Sequence, residues 1–426
     1  MSAATIARVV GRRVWDSRGR PTVEVEIHLA GGARGTAIAP AGASTGSGEA
    51  RDLRDGGRAL GGYDVATAVA NVNGPIAKLL AGRDAADQAA LDRALIAADG
   101  TANKSRLGGN AIVATSIALA HAAAAAAGSP LWRHLGGNGA TVLPLPQIQI
   151  FGGGAHAARR VDLQDFMVVA LGATSFADAL AMTAEVYLAA GHLMAERGAL
   201  QGVADEGGYW PAFADNDDAL TTVVRAIERA GFVPGQDVAI ALDIAATQFF
   251  EDGRYRFDGR VHDSDSLAAL LLGWLDRYPI VSIEDPLAEH DRDGFARFTA
   301  AAGDRVQIVG DDFLVTNAGR VEAAAAARAC TAVLIKPNQA GTLTEAKTAL
   351  DAARAAGWNA IVSARSGETE DVTIVHLAVG WGAGQLKVGS FARSERMAKW
   401  NEGIRIEEAL GNAARLARPF DRFRSR

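Results

Sequence analysis

Six short apolar runs in the second half of the chain end in residues able to do chemistry. "VAIALD" closes on Asp243, "YPIVSIED" on Glu284 and Asp285, and "VQIVGDD" on Asp311 and Asp312. "AVLIK" closes on Lys336, "NAIVSARS" on Arg365 and Ser366, and "GQLKVGS" carries Lys387. Three carboxylates without accompanying Cys or His make a hard oxygen site, suited to Mg²⁺ rather than zinc. Two lysines and an arginine beside them ask for a small anionic molecule bearing carboxylate or phosphate. A lysine next to a metal and a second cation has its charged form disfavoured, which suits it to act as a base near neutral pH. Any one of these residues alone reads first as a loop ion pair or a helix cap. Recurrence over six strands is what points to a site.

For those side chains to meet, the strands must lie side by side and run the same way. The runs stand roughly 20 to 40 residues apart, the length of a strand–helix unit, and Ala-rich helical segments such as "RVEAAAAARA" and "TEAKTALDAARAAG" fill the gaps. Near-continuous apolar strands alternating with helices imply a parallel sheet covered by helices. The number of units, and the lack of a Gly-x-Gly-x-x-Gly run after a strand, favour a barrel over an open doubly wound sheet. In a barrel the C-terminal strand ends share one mouth, so Asp243, Glu284, Asp311, Lys336, Arg365, Ser366 and Lys387 are expected to converge. Two loops join this list. "VADEGGYW" sets Glu206, a candidate acid, in a glycine-flanked turn, and "GGGAHAARRVDLQDF" holds His156 in a loop whose glycines would let it close over a ligand.

The first part of the chain has a different rhythm. In "TVEVEIHLAGGARGTAIAP", Val23, Val25 and Ile27 alternate with polar residues, as in a half-buried strand, and Gly31-Gly32 marks a hairpin. A Gly/Ser-rich loop, "AGASTGSGEA", and helical patterns follow up to "LGGNGATVLPLP". The expected organisation is therefore a small α+β domain over residues 1–137 and an α/β barrel over 138–426.

Composition bounds the function. The 426 residues, 49% hydrophobic and 22% charged, can fill two cores, and a net charge of -6 argues against nucleic acid or an anionic membrane as partner. Cys330 is the only cysteine, which excludes an internal disulfide and fits a reducing compartment, so a cytoplasmic location is expected. The N-terminus reads as a strand rather than a signal peptide. The apolar stretch Ala111 to Ala127 falls short of the roughly 20 residues that span a bilayer and reads as a buried helix ended by Gly128 and Pro130.

"DSRGRPTVEVE", "GASTG", "LPLP", "DEGG", "SIED", "GDDFLVTN", "LIKPNQAGTLTEA", "RSGETED" and "IRIEEALG", in this order, identify the chain as resembling enolase, the Mg²⁺-dependent phosphopyruvate hydratase, along essentially its whole length. The resemblance implies an α+β N-terminal domain and a modified TIM (β/α)8 barrel. It implies that Asp243, Glu284 and Asp311 hold one Mg²⁺, and that Ser44 helps to bind a second, substrate-dependent one. Lys336 would be the base, Glu206 the acid, and Asp165 a further catalytic carboxylate. Arg365 and Ser366 would grip a phosphate, Lys387 the carboxylate side, and His156 and Gln164 would complete the pocket. A homodimer or higher homo-oligomer is implied as well.

The departures from the family pattern gather at the rim. Ala364 replaces a histidine, Asp165 a glutamate, Gly152 the asparagine of an Asn-Gly-Gly run, Ala41 a serine, Val388 a threonine and Pro286 a glycine, while Arg159 and Arg160 bring charge to a loop usually neutral. The favoured expectation is a diverged paralogue that makes a phosphoenolpyruvate-type product in phosphonate metabolism, similar to carboxyphosphonoenolpyruvate synthase, with Arg159 and Arg160 offering charge for an extra carboxylate or phosphate. Ordinary glycolytic conversion of 2-phosphoglycerate to phosphoenolpyruvate and water is the alternative, and a non-catalytic binding protein the remote one.

Overall fold

The computed structural model describes residues 2–43 and 45–424. Strands β1 (Ile6–Trp15), β2 (Pro21–Leu29) and β3 (Arg34–Ile38) form an antiparallel sheet in that order. Val23, Val25 and Ile27 are fully buried on one face, while Glu24 and Glu26 stay partly exposed on the other. That buried face packs on helix α1 (Gly109–Ala126), the Ala-rich segment expected from the sequence. It is apolar and long enough to cross a membrane by composition, yet 83% of it is buried inside the fold. The contact is close because Gly35 has no side chain: a Cβ there would lie 2.2 Å from the Ala118 carbonyl and the Ala122 amide.

Eight strands then close a barrel. They are β4 (Leu145–Gly152), β5 (Asp165–Ala170), β6 (Val238–Asp243), β7 (Ile280–Glu284), β8 (Gln307–Gly310), β9 (Ala332–Ile335), β10 (Asn359–Ser363) and β11 (Gly384–Gly389). The ring runs β7 to β11, then β4, β5, β6 and back to β7. Seven strands point the same way, whereas β5 is antiparallel to both neighbours. The barrel therefore opens with a hairpin-like pair, and helices α2 (Phe176–Glu196) and α3 (Asn216–Arg229) both follow β5 before regular strand–helix alternation sets in.

The bottom of the barrel is not the all-aliphatic stack usual for such folds. Gln147 donates to Gln385 at 2.9 Å, Gln385 and Gln307 exchange bonds at 2.9 and 3.2 Å, and Gln307 reaches Ser282 at 3.1 Å. All four are buried, so a closed amide network satisfies these polar groups where no water reaches them.

The two parts of the chain meet at the barrel mouth. Ala41 and Gly367 exchange backbone hydrogen bonds of 2.9 and 2.8 Å, and Arg18 caps the junction by donating to the Ala41 carbonyl at 2.9 Å. The N-terminal sheet is thereby anchored next to Arg365 and Ser366.

Candidate active site

Register delivers the chemistry. Asp165 opens the reversed strand β5 and lies opposite Asp243, the last residue of β6, which lies opposite Glu284, the last residue of β7. Asp311 and Lys336 each stand one residue beyond β8 and β9, and Lys387 pairs in register with Ser363. Because β5 runs backwards, a residue at its start reaches the same mouth as residues at the ends of its neighbours.

The charges there are buried and cross-linked. Lys387 Nζ lies 2.7 Å from Asp243 Oδ2, 2.8 Å from Glu284 Oε2 and 3.4 Å from Asp165 Oδ2. Lys336 Nζ lies 2.5 Å from Asp311 Oδ2, and Gln339 donates to Asp311 Oδ1 at 2.9 Å. Gln164 donates to Asp243 at 2.9 Å and is itself held by Gln248. Burial, then the neighbouring Asp243, raises the carboxyl of Glu284 well above its ordinary range. An all-oxygen set whose members already face a cationic centre fits a hard divalent ion. Tighter groupings also occur: Asp285, Asp311 and Asp312 bring donor atoms within 4.8 Å of one another. There Asp285 already accepts the Asp311 and Asp312 amides at 2.9 and 2.8 Å, so its oxygens are committed to holding the loop. Ser44, expected at a second metal, lies outside the described residues.

His156 forms the second centre. Its Nδ1 lies 3.0 Å from Asp165 Oδ1 and its Nε2 3.6 Å from Glu206 Oε1. Burial alone would push the imidazole down, but Glu206 and then Asp165 drive it up to about 9, so it is a cation at neutral pH. The carboxyl of Glu206 is itself shifted upward, because its burial outweighs the attraction of His156.

Lys336 is held in an ion pair with Asp311. Burial, the largest influence, lowers its pKa and Arg365 opposes its charge, but Asp311 and Glu284 favour it, and the net shift is upward.

A small central cavity, about 20 Å³, is lined by His156, Gln164, Asp165, Glu206, Lys336, Ala364, Arg365, Ser366 and Lys387. That is room for about one water, and Gly42 and Ala43 of the N-terminal part also line it. Ala364 faces this space and is 5% exposed. Arg159 and Arg160 are not brought there: both are exposed, and Arg159 lines a separate cavity of about 440 Å³ beside Gln248 and Phe249.

Several residues that no strand-end pattern marks complete the site. Arg18 donates to Ser366 Oγ at 3.2 Å, and Glu49 pairs with Arg365 at 3.0 Å. Arg396, with no exposed surface, donates to the carbonyls of Arg365, Ser366 and Val388 at 2.7, 2.6 and 2.9 Å. Lys399 holds Glu368 at 3.0 Å, and Glu368 in turn accepts the Arg365 amide at 3.0 Å. The motif "RSGETED" is thus fixed from behind by two buried cations of helix α4 (Ser394–Leu410).

Comparison with known families settles the descent of this arrangement. Residues 6–135 match the family model "Enolase, N-terminal domain", and residues 140–421 match "Enolase, C-terminal TIM barrel domain". The chain belongs to the enolase family. Membership marks it as an enzyme of the enolase superfamily, whose members use Mg²⁺, and its carboxylate clusters are compatible with such an ion. Of the departures from the enolase pattern, Asp165 and Ala364 line the cavity, and each is smaller than the residue it replaces.

Proposed function

We propose that the chain is a Mg²⁺-dependent carbon–oxygen lyase or related synthase acting on 2-phosphoglycerate or a close analogue. The observation that supports it best is one cavity lined by both Lys336 and Glu206, with Asp243, Glu284 and Asp311 beneath it and Arg365 and Ser366 at its side. Mg²⁺ bound by those three carboxylates would stabilise the negative charge that develops on the substrate carboxylate as the adjacent proton leaves. Neutral Lys336 Nζ then takes the α-proton, and the electron pair left behind forms the carbon–carbon double bond. Glu206 gives its proton to the departing hydroxyl, which leaves as water. Lys387 faces the carboxylate side, Arg365 and Ser366 the phosphoryl group, and cationic His156 is held by Asp165 beside the leaving group.

Within this chemistry, the favoured reading is a diverged paralogue with a phosphoenolpyruvate-type product in phosphonate metabolism, similar to carboxyphosphonoenolpyruvate synthase. Ala364 supports it, because the cavity wall there lacks an imidazole that the family pattern supplies. Complete retention of acid, base and metal-facing groups supports ordinary glycolytic dehydration as the second reading. Incubating the protein with Mg²⁺ and 2-phosphoglycerate and following products by phosphorus NMR separates them. Fast, complete turnover would sink the paralogue reading; slow turnover, with faster reaction of a phosphonate analogue, supports it.

A further inference from the structure

We infer that Glu49, supplied by the N-terminal part of the chain, is a positioning residue that orients Arg365 for the anionic end of the substrate and, through Gln339, couples that seat to the metal-facing carboxylate Asp311. The inference rests on the reading of Arg365 as the phosphoryl-binding group.

The geometry is specific. Glu49 Oε2 lies 3.0 Å from Arg365 Nη1 and Glu49 Oε1 3.4 Å from Nη2, an end-on, two-point contact between side chains only 7% and 3% exposed. Such pairing fixes the plane of a guanidinium as well as its charge, and a buried arginine without a counter-charge would be costly. Asn338 Oδ1 takes a further bond from Nη1 at 3.2 Å. The same guanidinium lines the central cavity, so the edge used by Glu49 decides which edge meets a ligand.

Glu49 is also part of a longer chain of contacts. Its Oε1 accepts the Gly46 amide at 2.9 Å and Gln339 Nε2 at 3.2 Å. Gln339 Nε2 has two hydrogens, and the other goes to Asp311 Oδ1 at 2.9 Å. Thr316 donates to Gln339 Oε1 at 2.7 Å, which fixes the orientation of the amide between the two carboxylates. One carboxamide therefore links the anion seat, the 42–48 loop and a metal-facing residue. If a ligand or ion shifts either carboxylate, the other has to follow.

The test uses the intact chain and no turnover. Binding of inorganic phosphate, in Mg²⁺ buffer, is measured by calorimetry for wild type, Glu49→Gln, Glu49→Asp and Arg365→Ala, and Mn²⁺ affinity by electron paramagnetic resonance. Glu49→Gln is expected to weaken phosphate by about tenfold, and to shift Mn²⁺ affinity in the same samples by several-fold, roughly 1 kcal/mol of coupling. Glu49→Asp should recover part of both, and binding of malonate, which lacks a phosphoryl group, should change less than that of phosphate. Unchanged or tighter phosphate binding in Glu49→Gln, with Arg365→Ala weakened, overturns the role of Glu49 alone. Undiminished phosphate binding in Arg365→Ala overturns the reading of Arg365 beneath it. A fall in melting temperature that Glu49→Gln and Glu49→Asp share, without any selective effect on phosphate, marks Glu49 as a structural counter-ion and also overturns the inference.

Discussion

The ammonium of Lys387 lies between Asp243 and Glu284, 2.7 Å from one and 2.8 Å from the other, at the bottom of a mouth that water hardly enters. Removing one partner from a buried ionic cluster leaves uncompensated charge, at a cost of about 3–5 kcal/mol. Lys387→Met is therefore expected to lower the melting temperature sharply in chelator. Mg²⁺ should restore more of the loss than it adds to wild type, because a divalent ion supplies the missing charge. Melting curves with and without Mg²⁺ check this; equal Mg²⁺ effects on both proteins would remove the two carboxylates from the metal site.

Lys336 lines the central cavity and pairs with Asp311. Lys336→Ala should slow exchange of the substrate α-proton with deuterated solvent by about 10²-fold or more, while Mn²⁺ still binds. Exchange at the wild-type rate in this variant would take the base role away from Lys336.

His156 should titrate high. Its imidazole is lifted from 6.5 to about 9 by Glu206 and Asp165, and the first of these is removable without changing shape. Proton NMR of the ring should show titration near 9 in wild type and a lower value in Glu206→Gln. The sign for stability follows by linkage: a raised folded-state pKa contributes stability that is complete below the unfolded value near 6.5 and is lost as pH climbs through about 9. Stability of the wild type should accordingly fall over that window, and less so in Glu206→Gln.

Arg396 is buried and spends its guanidinium on three backbone carbonyls. Arg396→Met fills similar volume but leaves those acceptors unpaired, costing about 3 kcal/mol or more. The Arg365–Ser366 segment should loosen first, so phosphate affinity should fall more than Mg²⁺ affinity. Equal loss of both, or of neither, would mean that Arg396 supports the barrel generally.

The strand-ending residues were legible because apolar runs of β-branched residues stop where the barrel meets its mouth, and Asp243, Glu284, Asp311 and Lys336 sit at those stops. β4 and β5 were harder: Pro146 and two glutamines interrupt the first, and reversal of the second puts Asp165 at a strand start, where no ending rule looks. The partner of Lys336 was also hidden, since spacing does not reveal its contact with Asp311. Glu49 was out of reach for a plainer reason. It lies 316 positions from Arg365, in a loop without periodic pattern, and only docking of the N-terminal sheet brings the two together. Arg159 and Arg160 show the opposite error, where proximity in sequence to His156 suggested proximity in space, but the turn through Ala158 and Arg159, both at positive φ, carries them outward.

The reversed strand β5 has an evolutionary consequence. A parallel neighbour would have needed a crossover passing along the outside of the barrel, whereas the antiparallel pair lets residues 153–164 run straight over the mouth. This segment carries His156 and Gln164 but none of the three metal-facing carboxylates. Lengthening, shortening or recharging its exposed tip at Arg159 and Arg160 would leave every strand in register, so selection could retune the rim of the mouth while the strand-end side chains below kept their places.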